Sequence, residues 1–316
     1  MKLLAAALLT LLSLLVAPQA LSRELVRVTS SPYYEADPAW SPVEEEIDGL
    51  PAARLAFARF DGRNQEIWTV LVGRGDAGAA VVLGEERQLT SGGGVKAHPS
   101  WSYDGTQLYY EEMQSGGGYL VKALSLATPD AAPRMLADGR QPTAGPGGKL
   151  VYVSEGAVFA VDEGSTVPRI IGVGGRCSSP AWTPDGRRVF FSCGLFIGVV
   201  YDRVGNGAVS YYIGPPAWPV CWNGYPAISP KGEILAFAST RDRTYGIWGV
   251  PLDRSTADAS LIFQDKYRKA GLCFSPETAA PRLAFASDRA GGWDIWVLDV
   301  NADLFREAEA AEEAAE

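Results

Sequence analysis

Apolar positions along this chain come in short runs separated by turn residues, and the runs repeat. Leu55-Ala56-Phe57-Ala58, Leu235-Ala236-Phe237-Ala238 and Leu283-Ala284-Phe285-Ala286 alternate large and small. A run apolar on both sides predicts a strand covered on both faces, and alanine along one face suits sheets stacked closely together. Before such a run stands a strand ending in Pro-x-Trp and then a tight turn, clearest in Pro180-Ala181-Trp182-Thr183-Pro184-Asp185-Gly186. In that turn proline fixes φ, aspartate bonds back to the backbone and glycine accepts positive φ. After each run a third strand is predicted, as in Glu66-Ile67-Trp68-Thr69-Val70 and Asp294-Ile295-Trp296-Val297-Leu298. A fourth follows, as in Gln88-Leu89-Thr90 and Leu261-Ile262-Phe263.

The unit starts at residues 38, 99, 142, 180, 226 and 272, with gaps of 61, 43, 38, 46 and 46. Strand-bearing repeats in this size range predict a β-propeller. We therefore expect an all-β chain of six four-stranded antiparallel blades. Leu25-Val26-Arg27-Val28-Thr29 reads as an orphan fourth strand, and the last repeat ends after its third. Pairing the two would close the ring without a free edge. The third repeat, starting at Pro142, has lost its tryptophan and is the poorest copy. The long first gap is expected to hold two polar or Gly/Ala-rich loops, Val43 to Ala53 and Gly73 to Glu86, rather than an extra blade.

Residues 1–22 read as a signal peptide: Lys2, an apolar run from Leu3 to Val16, then small residues before the cut. The propeller is expected over 23–303. An acidic Ala/Glu tail, 304–316, is expected to be disordered or a frayed helix. The formal charge is −9, and about −6 once the signal and tail are set aside, which argues against nucleic acid. The mature chain is expected to be periplasmic or secreted, monomeric and without a membrane span. Export permits disulfides. Cys177 and Cys193 flank one hairpin and form the favoured pair, with Cys221–Cys273 as the second; the other reading is four small buried hydrophobes.

The string Arg87-Gln88-Leu89-Thr90, the unit Pro180 to Gly186 and the stretch Leu283 to Asp299 together resemble the TolB-type β-propeller repeat, over roughly residues 24–301. That resemblance implies a propeller and, for TolB itself, a periplasmic protein that partners an outer-membrane lipoprotein and carries a further α/β domain. What this chain resembles is the propeller alone.

Candidate chemistry is sparse. With one histidine, His98, and no Gly-x-Ser-x-Gly, neither a hydrolase triad nor a histidine-rich metal site is expected. No catalytic residue, cofactor or metal ligand is expected, and a calcium site from Asp61, Asp242 and Asp288 lacks ligand-dense spacing. Asp37, His98 and Gln141 each precede the repeat proline, with Tyr225 and Gly271 equivalent, and should face the channel mouth. Arg63, Arg241, Asp242, Asp288 and Arg289 lie in charged loops of neighbouring blades and form a candidate partner surface. Trp218 and Trp222 sit in an aromatic loop suited to stacking on a sugar or anchoring a protein. The expected function is an exported, non-catalytic binding scaffold acting on a protein partner in the cell envelope. A glycan-binding propeller is second and a propeller enzyme third.

Overall fold

In the computed structural model the described residues are 24–300, except 76–77, 129–130, 163, 166, 174, 203–209, 214–220 and 253–258. They form six four-stranded antiparallel sheets, the blades of a propeller. Within blades I to V the strands follow chain order from the axis outward. Blade VI takes its outermost strand from the other end of the chain. Leu25–Arg27 pairs with Asp294–Asp299, Val26 opposite Val297, so the ring is closed as the sequence predicts. Blade III, the degraded repeat, is complete. The signal segment and the acidic tail lie outside the described residues. No helix among the described residues is long and apolar enough to cross a membrane.

The core lies between blades. Large residues of one blade's second strand, such as Leu283 and Phe285, pack on the neighbouring sheet, while Ala284 and Ala286 face the next blade with Trp40, Leu55 and Phe57. The alternation of large and small is thus the spacing device between sheets. Of the repeat tryptophans, Trp40, Trp101, Trp182 and Trp248 are buried, and Trp68 and Trp296 are half-buried.

Two expectations are corrected. The insertions of blade I are strands rather than loops: its first two strands run Tyr34–Ile47 and Leu50–Phe60, its last two Gln65–Arg74 and Ala80–Gln88. Asp48 and Gly49, at φ 52° and 79°, make the tight turn that lets the first hairpin grow. Ala53 stands opposite Val72 on one face and Ala52 lies on the other, and all three are buried, so the extended hairpins are covered on both sides. The second correction concerns sulfur. Cys177 stands opposite Cys193 in register, yet no disulfide joins them or the other two cysteines. Cys177 and Cys193 join an apolar cluster with Trp182 and Phe191. Cys221 sits against Asn223 and Ser239 of blade V, whereas Cys273 receives the Trp40 amide from blade I at 3.4 Å. These different surroundings explain why no bridge spans the last two.

Candidate binding site at the axial mouth

All six inner strands are bulged at one place. The register skips between Ala36 and Ala39, Ala97 and Ser100, Arg140 and Thr143, Ser178 and Ala181, Gly224 and Ala227, and Ala270 and Cys273. The first extra residue is left-handed each time: Asp37, His98, Gln141, Ser179, Tyr225 and Gly271, with φ between 49° and 62°. Five of the six are not glycine and precede proline, a combination L-residues avoid unless the surroundings enforce it. All six line an axial cavity of about 470 Å³. Its far end is collared by Pro42, Pro146, Pro184, Pro230 and Pro276, with Tyr103 completing the set. One mouth is therefore polar and the other apolar.

The bulge turns backbone amides toward the neighbouring blade, where side chains receive them. His98 N donates to Asp37 Oδ2 at 3.4 Å, Gln141 N to Glu111 Oε2 at 2.7 Å, Ser179 N to Gln141 Oε1 at 2.8 Å, and Tyr225 N to Ser192 Oγ at 3.0 Å. In all four the acceptor belongs to the preceding blade. A polar arc results. His98 Nδ1 lies 3.2 Å from Asp37 Oδ1, and its Nε2 lies 3.3 Å from Gln141 Nε2 and 3.9 Å from Glu111 Oε1. Because Gln141 Oε1 is spent on Ser179, its amide N–H faces the ring, which suits a neutral imidazole. The carboxylates pull the other way and prevail. Burial opposes a charge on His98, but Asp37 by charge and hydrogen bond, then Glu111 by charge, draw it up to about 9. Burial alone would raise Asp37, and the His98 charge and hydrogen bonds bring it below its ordinary value. Glu111 stays raised by burial, only partly offset by His98 and the Gln141 amide.

Facing this arc is an aromatic one from blades V, VI and I. Trp222 meets Tyr225 edge-on at 5.5 Å, and Tyr34 packs on Trp293 at 5.6 Å. Burial raises the Tyr225 phenol, and the nearby charges of Asp37 and Tyr34 raise it further, so the arcs meet at Asp37.

The charged-loop residues are placed as follows. Arg241 stacks over Phe237 and Trp248 of its own blade at 5.1 and 5.0 Å. Arg289 bonds Asp265 at 3.1 Å and lies over Trp296 at 5.6 Å. Arg59, from the same charged stretch as Arg63, lies over Trp68 at 4.5 Å. Asp288 pairs with Arg268 at 2.8 Å, whose guanidinium covers Trp293. Arg63 and Asp242 are exposed, and the Arg63 amide donates to Asp61 Oδ1 at 2.8 Å. Trp218 lies outside the described residues. Sequence reading missed Ser179, Glu111 and Tyr34. Ser179 was legible, since it precedes Pro180. Glu111 was not, because its role depends on the rotation of blade II against blade III.

Both imidazole nitrogens face side chains of the arc, Nδ1 toward Asp37 and Nε2 toward Gln141 and Glu111. Among the described residues no group of three His, Cys, Asp or Glu could hold a metal ion.

This geometry defines a six-bladed β-propeller with a differentiated axial mouth. No protein-family model matches the sequence, and no curated protein does. Solved structures do resemble it. A TolB candidate from Agrobacterium tumefaciens is 19% identical, with a TM-score of 0.53 over 64% of this chain and 73% of that one. A gluconolactonase from Xanthomonas campestris is 12% identical, with a TM-score of 0.59 over 88% and 90%. Trypanosoma rangeli sialidase is 12% identical, with a TM-score of 0.52 over 84% of this chain and 55% of its own. At these identities the likeness is one of fold, shared by a TolB-like propeller and by enzymes alike.

Proposed function

We infer that this chain is an exported, non-catalytic binding scaffold that engages a protein partner of the cell envelope at its polar axial mouth. One observation carries the reading. Six matching backbone bulges present six different residues (Asp37, His98, Gln141, Ser179, Tyr225, Gly271), five of them with side chains, to one opening. A repeated strained backbone with varied side chains is what a recognition surface requires, and rigid preorganisation reduces the entropy lost on binding. The resemblance to TolB repeats supports export and a protein partner. The test is a photo-crosslinking residue placed at Tyr225, and at the opposite mouth at Tyr103 as control. A specific adduct at Tyr225 that disappears with Asp37→Ala supports the site. Equal adducts at both mouths, or none at Tyr225, rule it out.

A second reading, a saccharide ligand, is favoured by the two aromatic pairs beside the mouth, which offer ring faces next to planar polar groups. Oligosaccharide titrations followed by tryptophan fluorescence, in wild type and Trp222→Ala, separate the two readings.

A further inference from the structure

Blade I departs from the repeat, and among the described residues the side-chain hydrogen bonds that brace its extension run to blade VI. Toward blade VI the extended hairpins are braced. Arg282, fully buried, donates to Gly73 O at 2.7 Å, pairs with Glu277 and lies over Trp40 at 5.1 Å. Arg74 donates to Ala280 O at 2.7 Å. Toward blade II the extension stands off and leaves a cavity of about 390 Å³, at the small end of the roughly 300–1,000 Å³ typical of small-molecule sites.

The chemistry of this cavity can be read by elimination. Its floor is apolar: Val43 from the extension, and Leu89, Leu124, Leu126 and the Trp101 ring. Trp101 Nε1 is spent on Ala39 O at 2.9 Å, so the indole offers only its ring. Asp104 is taken up by its own turn, accepting from Ser102 Oγ and from the amide and hydroxyl of Thr106. Arg54 is held by both oxygens of Glu45, at 2.7 and 3.0 Å. Arg87 is exposed at the rim, and among the described residues no carboxylate or carbonyl holds it. Of the other polar lining residues, Ser41 accepts the Val43 amide, Thr69 donates to Leu55 O, Gln88 donates to Thr90 O and Ser125 accepts from Thr128, which leaves the leucine and tryptophan floor beside one uncommitted guanidinium.

We propose that the cleft between the blade I extension and blade II binds a small amphipathic monoanion, its apolar body on the leucine and tryptophan floor and its acid group on Arg87. The site is separate from the axial mouth and does not depend on what that mouth binds. A guanidinium beside a partly desolvated floor favours a carboxylate or sulfonate over a neutral group of equal size.

The test uses the full mature chain, with 8-anilinonaphthalene-1-sulfonate as fluorescent probe and decanoate as competitor. Expected is saturable binding of one probe per chain, displaced by decanoate and weakened at least tenfold by Arg87→Gln. Arg87 is exposed, so that variant should melt as wild type does. Ser125→Trp, which fills the cleft, should abolish binding while Tyr225→Ala leaves it intact. Binding that decanoate does not displace, that Arg87→Gln leaves unchanged, or that Tyr225→Ala removes would overturn the proposal, as would no binding by native protein.

Discussion

His98 Nδ1 stands 3.2 Å from Asp37 Oδ1, and the two residues occupy the same place in successive blades. The chain's single histidine is thus a strut between blades, and its titration should show in stability. The His98 pKa is raised, so its contribution is complete below its unfolded value of roughly 6.5 and is lost as pH rises through about 9. The Asp37 pKa is lowered, so its contribution holds above roughly 3.8 and is lost as pH falls through the depressed folded value. Melting curves of wild type and His98→Gln should therefore differ most between about pH 4 and 6.5 and converge above about pH 9. A difference independent of pH would show that the pair carries no charge interaction.

Gly271 is the one member of the bulge ring that has to be glycine. A Cβ there would lie 3.1 Å from Pro38 Cδ and 3.2 Å from the Asp37 Cα, at φ +62°. Gly271→Ala should cost about 1–2 kcal/mol in urea unfolding. Ser179→Gly, at φ 50°, should be neutral or slightly stabilising. Equal losses in both would mean that the left-handed bulges are not strained.

Arg282 is the main brace between blades VI and I. Arg282→Met leaves Glu277 and the Gly73 carbonyl without their donor, and a loss of about 3–5 kcal/mol is expected. Denaturant unfolding measures it. A loss under about 1 kcal/mol would show that the extension is held by its own pairing instead.

Cys273 lies against the Trp40 amide at the same seam, and burial pushes its thiol up to about 11. At pH 8 it should stay unreactive toward a disulfide reagent in the native protein and react once the chain is unfolded in urea. Prompt native reaction would mean that this seam opens.

Removing residues through Arg27 should expose the strand Asp294–Asp299 as a free edge. Lower melting temperature and concentration-dependent association in size-exclusion chromatography are expected. An unchanged monomer would show that closure is dispensable.

Much of this architecture was legible in particular residues. Leu-Ala-Phe-Ala runs announced closely spaced sheets, and Leu25 to Thr29 announced the closing strand. Even blade III could be placed, because Pro142 and the apolar strands remain after its tryptophan is gone. The blade I extension was misread, since Glu44-Glu45-Glu46 and Gly73 look like loop residues. Their strand pairing comes from the Asp48-Gly49 turn and from Ala52, Ala53 and Val72 finding cover. The axial residues were half legible: proline marked the positions, but nothing in one strand's pattern shows a bulge. Cys177 and Cys193 were placed correctly opposite each other, yet register alone does not make a bond.

By itself the sequence determined the repeat, the blade number and the closure, because these follow from local periodicity and turn chemistry. Only the tertiary structure decided which side chains meet: Asp37 with His98, Glu111 with the Gln141 amide, Arg282 with Gly73, and Arg87 left over a leucine floor. Those contacts join different blades. They depend on the angle between neighbouring sheets, which the packing of the whole ring sets and no single strand encodes.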